Sequence, residues 1–141
     1  MTARRFPYFE VDPSFGAASA LPYMPITLAL GEQEIVASAL VDSGAALNVL
    51  PYNMGLQLGA VWEEQKTHVQ LSGNLAASEA RALLLIGQVA DFSPVRLAFA
   101  WSRSNNVPVI LGQVNFFMEF DVFFFRSQSL FEISCKGSAL D

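Results

Sequence analysis

A chain of 141 residues, 52% apolar and 15% charged, suits one domain with a real hydrophobic core and excludes a disordered segment. The formal charge is −5 with only eight Lys and Arg, scattered along the chain. Nothing there resembles the basic face of a nucleic-acid binder or of a protein held on an anionic membrane.

Residues 1–20 read as an irregular arm punctuated by Pro7, Pro13 and Gly16. Ile26, Leu28 and Leu30 then alternate with Thr27 and Ala29, as in a half-buried strand. Residues 34–41 form a second, largely apolar strand, and the turn at 31–33 joins the two as a hairpin. Asp42-Ser43-Gly44-Ala45 breaks that strand sharply, and 47–50 resumes as a short apolar one. A short helix is predicted over 51–58, with Pro in its first turn and Gly59 to end it. Residues 60–67 are polar and expected to be exposed.

Residues 68–71 and 80–89 read as strands around a polar tip at 72–78. In 94–101, Val95, Leu97, Phe99 and Trp101 are placed on one strand face. A loop at 102–106 leads to a buried strand over 107–111 that ends at Gly112. One helical turn over 113–118, a Phe-rich strand over 120–125, a turn at 126–129 and a last strand over 130–134 complete the pattern. Most of the late Phe residues belong in the core, with one or two facing outward toward a partner. Six to nine short strands with one or two short helices predict an all-β, closed or partly closed domain over 21–135, flanked by the arm (1–20) and a loose tail (136–141).

One cysteine, Cys135, and one histidine, His68, exclude an intrachain disulfide and a Cys/His zinc site. Both read as ordinary residues, the thiol half-buried and the imidazole at the surface. No segment has the apolar length of a bilayer span, and Met1 to Pro7 is not followed by a signal-type apolar stretch. A reducing, cytoplasmic location is expected.

The chemistry concentrates in Ala39-Leu40-Val41-Asp42-Ser43-Gly44-Ala45. A carboxylate closing an apolar strand is costly unless it is paired or hydrogen-bonded. The Gly after it lets backbone N–H groups approach. On Asp-Ser-Gly alone an ordinary turn is the better reading. The context changes this: Leu40-Val41-Asp42-Ser43-Gly44-Ala45 resembles the catalytic loop of retropepsin-like aspartic proteases. Val109-Ile110-Leu111-Gly112, followed by Gln113-Val114-Asn115-Phe116-Phe117, is similar to that family's second signature. The resemblance spans roughly 22–135.

The resemblance implies an all-β, closed barrel-like single lobe with one or two short helices, which dimerises to form the active site. It implies an aspartic endopeptidase with Asp42 catalytic, no metal and no cofactor, acting on extended peptide or protein substrates. Asp12, Asp91, Asp121 and Asp141 lack the Asp-Ser-Gly context. The second carboxylate would therefore come from another copy in a two-fold homodimer. Ser43, Gly44 and Ala45 would support the loop and line the cleft, and Ile110, Leu111 and Gly112 would pack beneath it. Ser72, Gly73, Asn74 and Leu75 would form a substrate-binding flap, or else an ordinary hairpin end. The alternative reading is a non-catalytic dimeric peptide-binding module on the same fold. A structural β domain without a site comes third.

Overall fold

Two strands, β4 (Tyr23–Leu30) and β5 (Gln33–Val41), form the predicted hairpin in full register from Tyr23↔Leu40 to Leu30↔Gln33. Gly31, at φ 59°, supplies the positive dihedral that a two-residue hairpin turn needs. Period-2 alternation sends Met24, Ile26 and Leu28 inward from β4, and Ala37, Ala39 and Val41 from β5. This computed structural model describes residues 2–137, so the end of the expected tail, 138–141, lies outside the described residues.

Six strands close into a barrel. After β6 (Asn48–Leu50) come helix α1 (Tyr52–Gln57), β7 (His68–Val69), β8 (Ala80–Gln88), β9 (Val95–Ser102) and β10 (Val109–Leu111). The order around the barrel is β4-β5-β10-β6-β9-β8, and β8 closes it on β4 through Thr27↔Gln88, Leu28↔Gly87 and Ala29↔Ile86. β10 lies parallel to β5 and antiparallel to β6, so a late strand is driven between two strands adjacent in sequence. The loop joining β5 to β6, which carries Asp42, therefore has to cross the end of β10.

Helix α2 (Phe116–Glu119) leads into β11 (Phe120–Phe125) and β12 (Leu130–Cys135). Here the irregular reading of residues 1–20 is corrected. Arg4–Pro7 is a strand, β1, antiparallel to β12 from Arg4↔Ile133 to Pro7↔Leu130. Two further short strands, β2 (Phe9–Glu10) and β3 (Ala20–Leu21), pair with each other around 3-10 turns at Pro13–Ser19. The partner of β1 lies at the other end of the chain, and four residues with two arginines carry no alternation to reveal it. Arg5 meets Glu132 at 2.7 Å across that pair, and Phe6 stacks on Phe131 at 5.5 Å. Arg4 clasps Asp91 at 2.7 Å, and this hydrogen bond holds the Asp91 carboxyl below the usual carboxylate range.

The core is aromatic at one end. Phe116 stacks on Phe120 at 5.0 Å, and Phe92 meets Phe120 at 5.8 Å. Three late phenylalanines face outward rather than one or two: Phe123, Phe124 and Phe125 are 43%, 38% and 37% exposed. They lie on β11, the edge of the β1-β12-β11 sheet outside the barrel.

The expectation that 60–67 is exposed is corrected at Ala60 and Trp62, both buried. Trp62 sets its ring edge against Trp101 at 5.2 Å and Tyr52 at 5.7 Å. The guanidiniums of Arg81 and Arg103 lie 4.6 and 5.0 Å from its ring centre. Glu63, Glu64, Gln65 and Lys66 mask this single anchor in sequence. Trp62→Phe shrinks the ring under two cations and should cost about 1–2 kcal/mol of stability in a urea melt.

Candidate active site

At the end of β5 the Asp42 N–H donates to Leu111 O at 3.0 Å, which ties the start of the loop to β10. The chain then turns tightly. Gly44 N–H donates to Asp42 Oδ1 at 2.9 Å, and Ala45 N–H to Asp42 O at 3.1 Å. One carboxylate oxygen is thereby fixed by the backbone while the group stays half-buried. Across the loop, Gln113 Nε2 donates to Ser43 O at 2.8 Å. Gln113 N–H bonds Ala45 O and Val114 N–H bonds Ala46 O, each at 2.9 Å. The strand that splits the barrel thus continues as a zipper along the Asp42 loop.

Gly112 sits where the two segments pass closest. A Cβ there would collide with Leu47 O and stand 2.8 Å from Ala45 O, both backbone atoms. Its N–H donates to Asn48 Oδ1 at 2.8 Å. Leu111 is fully buried in the main core, and Ile110 joins a smaller apolar cluster with Val49, Leu71, Ala80 and Ala100. Ala45, Leu47 and Leu75 pack against that cluster.

Asp42 borders two clefts. The first, about 380 Å³, is lined by Asp42, Gly44, Ala45, Ala46, Leu47, Val49 and Ile110 on one side. Gln70, Leu71, Ser72, Asn74 and Leu75 line the other. The second, about 430 Å³, is lined by Asp42, Ser43, Tyr8, Leu21, Pro22, Leu40, Val41, Phe124 and Arg126. Of the four expected flap residues within the polar tip at 72–78, Ser72, Asn74 and Leu75 reach the first cleft. Gly73 does not line it; its φ of 60° starts the 3-10 turn Gly73–Ala77 that presents the others. Among the described residues, no three His, Cys, Asp or Glu side chains gather as a metal site.

Sequence reasoning missed Asn48. Its side chain is wholly buried and makes three hydrogen bonds: one from Gly112 N–H, and one each to Ala98 O and Asn115 Oδ1 at 3.1 Å. Asn115 in turn bonds Ala98 N–H at 3.0 Å and Arg96 O at 2.9 Å. The available signal was an amide inside the apolar run Leu47-Asn48-Val49-Leu50, since a buried amide must be satisfied. Asn48→Ala strands the Gly112 N–H and should destabilise by about 2–3 kcal/mol, read in chemical denaturation.

A closed six-strand barrel with Asp-Ser-Gly at its crossing loop has the fold of a retropepsin-like single lobe. In particular, the chain superposes on the crystal structure of a retropepsin-like aspartic protease from Rickettsia conorii with a TM-score of 0.62. The match covers 94% of this chain and 98% of that one, at 12% identity. No family model matches the chain, and no curated protein matches it in sequence.

Proposed function

We propose that this chain is one half of an aspartic endopeptidase, completed when two copies bring their Asp42 carboxylates together. The observation that carries this reading is the loop itself. Asp42 is held by the Gly44 N–H, braced through β10, and set half-buried at the junction of two clefts. Asp-Ser-Gly occurs once in this sequence, and in this reading a second copy supplies the partner carboxylate.

Two carboxylates at close range share one proton, because both cannot ionise comfortably side by side. The charged one takes a proton from a water between them as the water oxygen bonds to the peptide carbon. The protonated one gives its proton to the carbonyl oxygen. The resulting diol then collapses: one hydroxyl returns its proton to the charged carboxylate as the C–N bond breaks, and the nitrogen takes the proton of the other, which restores a pair sharing one proton. Ser43 would bridge to the other loop across the two-fold axis. Gly44 and Ala45 would border the peptide, and Ile110 and Gly112 would support the loop from beneath. Ser72, Gly73, Asn74 and Leu75 would cover an extended substrate and exclude water.

The test is incubation of a mixed peptide library with the protein from mildly acidic to neutral pH, with products read by mass spectrometry. Discrete internal cleavages support the reading. A well-folded dimer that binds peptides and cuts none would be a binding module instead.

A further inference from the structure

We propose, building on the peptidase reading above, that the second cleft beside Asp42 receives a substrate side chain and that Arg126 selects a carboxylate there. The cleft has apolar and aromatic walls in Leu40, Tyr8 and Phe124, and Asp42, Ser43 and Arg126 also line it. Such a site fits a side chain with an apolar stem and an anionic tip, which describes glutamate or aspartate.

Arg126 is already held in place. It begins the turn Arg126–Gln128 that follows β11, and its Nη2 donates to Ala17 O at 2.8 Å. Its guanidinium lies 5.4 Å from the Tyr8 ring centre. Neither contact neutralises the charge. Arg4, Arg5 and Arg81 each meet a carboxylate, whereas among the described residues Arg126 meets none, Asp42 included. A pre-positioned guanidinium keeps N–H donors for a bidentate carboxylate and loses little side-chain freedom on binding. Arg126 is exposed, so the pairing is worth what a well-placed surface ion pair contributes, about fivefold or 1 kcal/mol. The carboxylate would pair with Arg126 rather than with the negative charge shared at Asp42.

The experiment compares peptides that differ only by Glu or Gln at each position around one cleavage site. Wild type should favour Glu over Gln at one position by about fivefold in kcat/KM. That ratio should fall to about one in Arg126→Gln and invert in Arg126→Glu. The same peptide pairs, labelled and titrated onto the Asp42→Asn protein, should show the same ratio in Kd. This arm reads the subsite even if the wild type cuts nothing, an outcome that would sink the peptidase reading alone. The inference is overturned if neither peptide binds, if Glu and Gln are equivalent at every position, or if the preference survives in Arg126→Gln. It is also overturned if Arg126→Gln turns a dimer into a monomer, because Arg126 would then serve the contact between copies.

Discussion

Asp42→Asn should lower kcat/KM by at least about 10⁴-fold, because it removes both the proton acceptor and the shared proton from the paired site. The fold should survive the change. The amide oxygen can still accept the Gly44 N–H, and Asp42 makes no ion pair among the described residues. The side chain is half-buried, so an isosteric neutral group adds no desolvation cost. Unfolding midpoints should therefore differ little between the two proteins while peptide cleavage disappears. Activity retained within tenfold of wild type would reduce Asp42 to a turn residue.

Gly112→Ala should behave in the opposite way, damaging stability and activity together. The added methyl meets Leu47 O and Ala45 O, and neither is a side chain that can rotate away. Relief requires the Asp42 loop and the end of β10 to separate. That strains the Asn48 hydrogen bond to Gly112 and the bonds from Gln113 and Val114 to the loop. Overpacking of this kind costs about 3 kcal/mol. Displacing a catalytic carboxylate by about 1 Å costs on the order of 100-fold in rate. Urea melts and kcat/KM on one peptide measure the two effects. A variant as stable and as active as wild type would mean that the contact between the two segments does not hold the loop.

Much of the barrel was legible because its strands alternate or form short apolar runs between turn residues. β4 and β9 carry a period-2 pattern, β5 and β8 read as short apolar runs bounded by turns, and the antiparallel pairs β4–β5 and β8–β9 join neighbours in sequence. The Asp42 loop was legible as a break because an ionisable residue and a glycine interrupt an apolar strand, and as a candidate site only through the resemblance of 40–45 and 109–112 to the family's two signatures. What the sequence hid was non-local. Val109–Leu111 reads as a buried strand, yet nothing local says that it enters between β5 and β6. β1 was invisible for the same reason, since only β12 defines it. Trp62 was hidden by its charged neighbours, and Asn48 by the habit of reading a short apolar strand as packing alone. The clefts needed the fold: Ser72, Asn74 and Leu75 share one with Asp42, and Tyr8, Phe124 and Arg126 share the other, only once the chain is closed.

The central claim is that each chain holds half of a catalytic pair, and subunit mixing tests it most directly. Wild type is refolded or equilibrated with increasing Asp42→Asn protein at fixed wild-type concentration, and cleavage is followed. If both carboxylates are needed, mixed dimers are dead. A ninefold excess of the variant should then cut activity per wild-type subunit to about a tenth, although the total dimer rises about tenfold. Activity that stays constant at every ratio, with exchange of subunits verified, would mean that one chain works alone and would contradict the account.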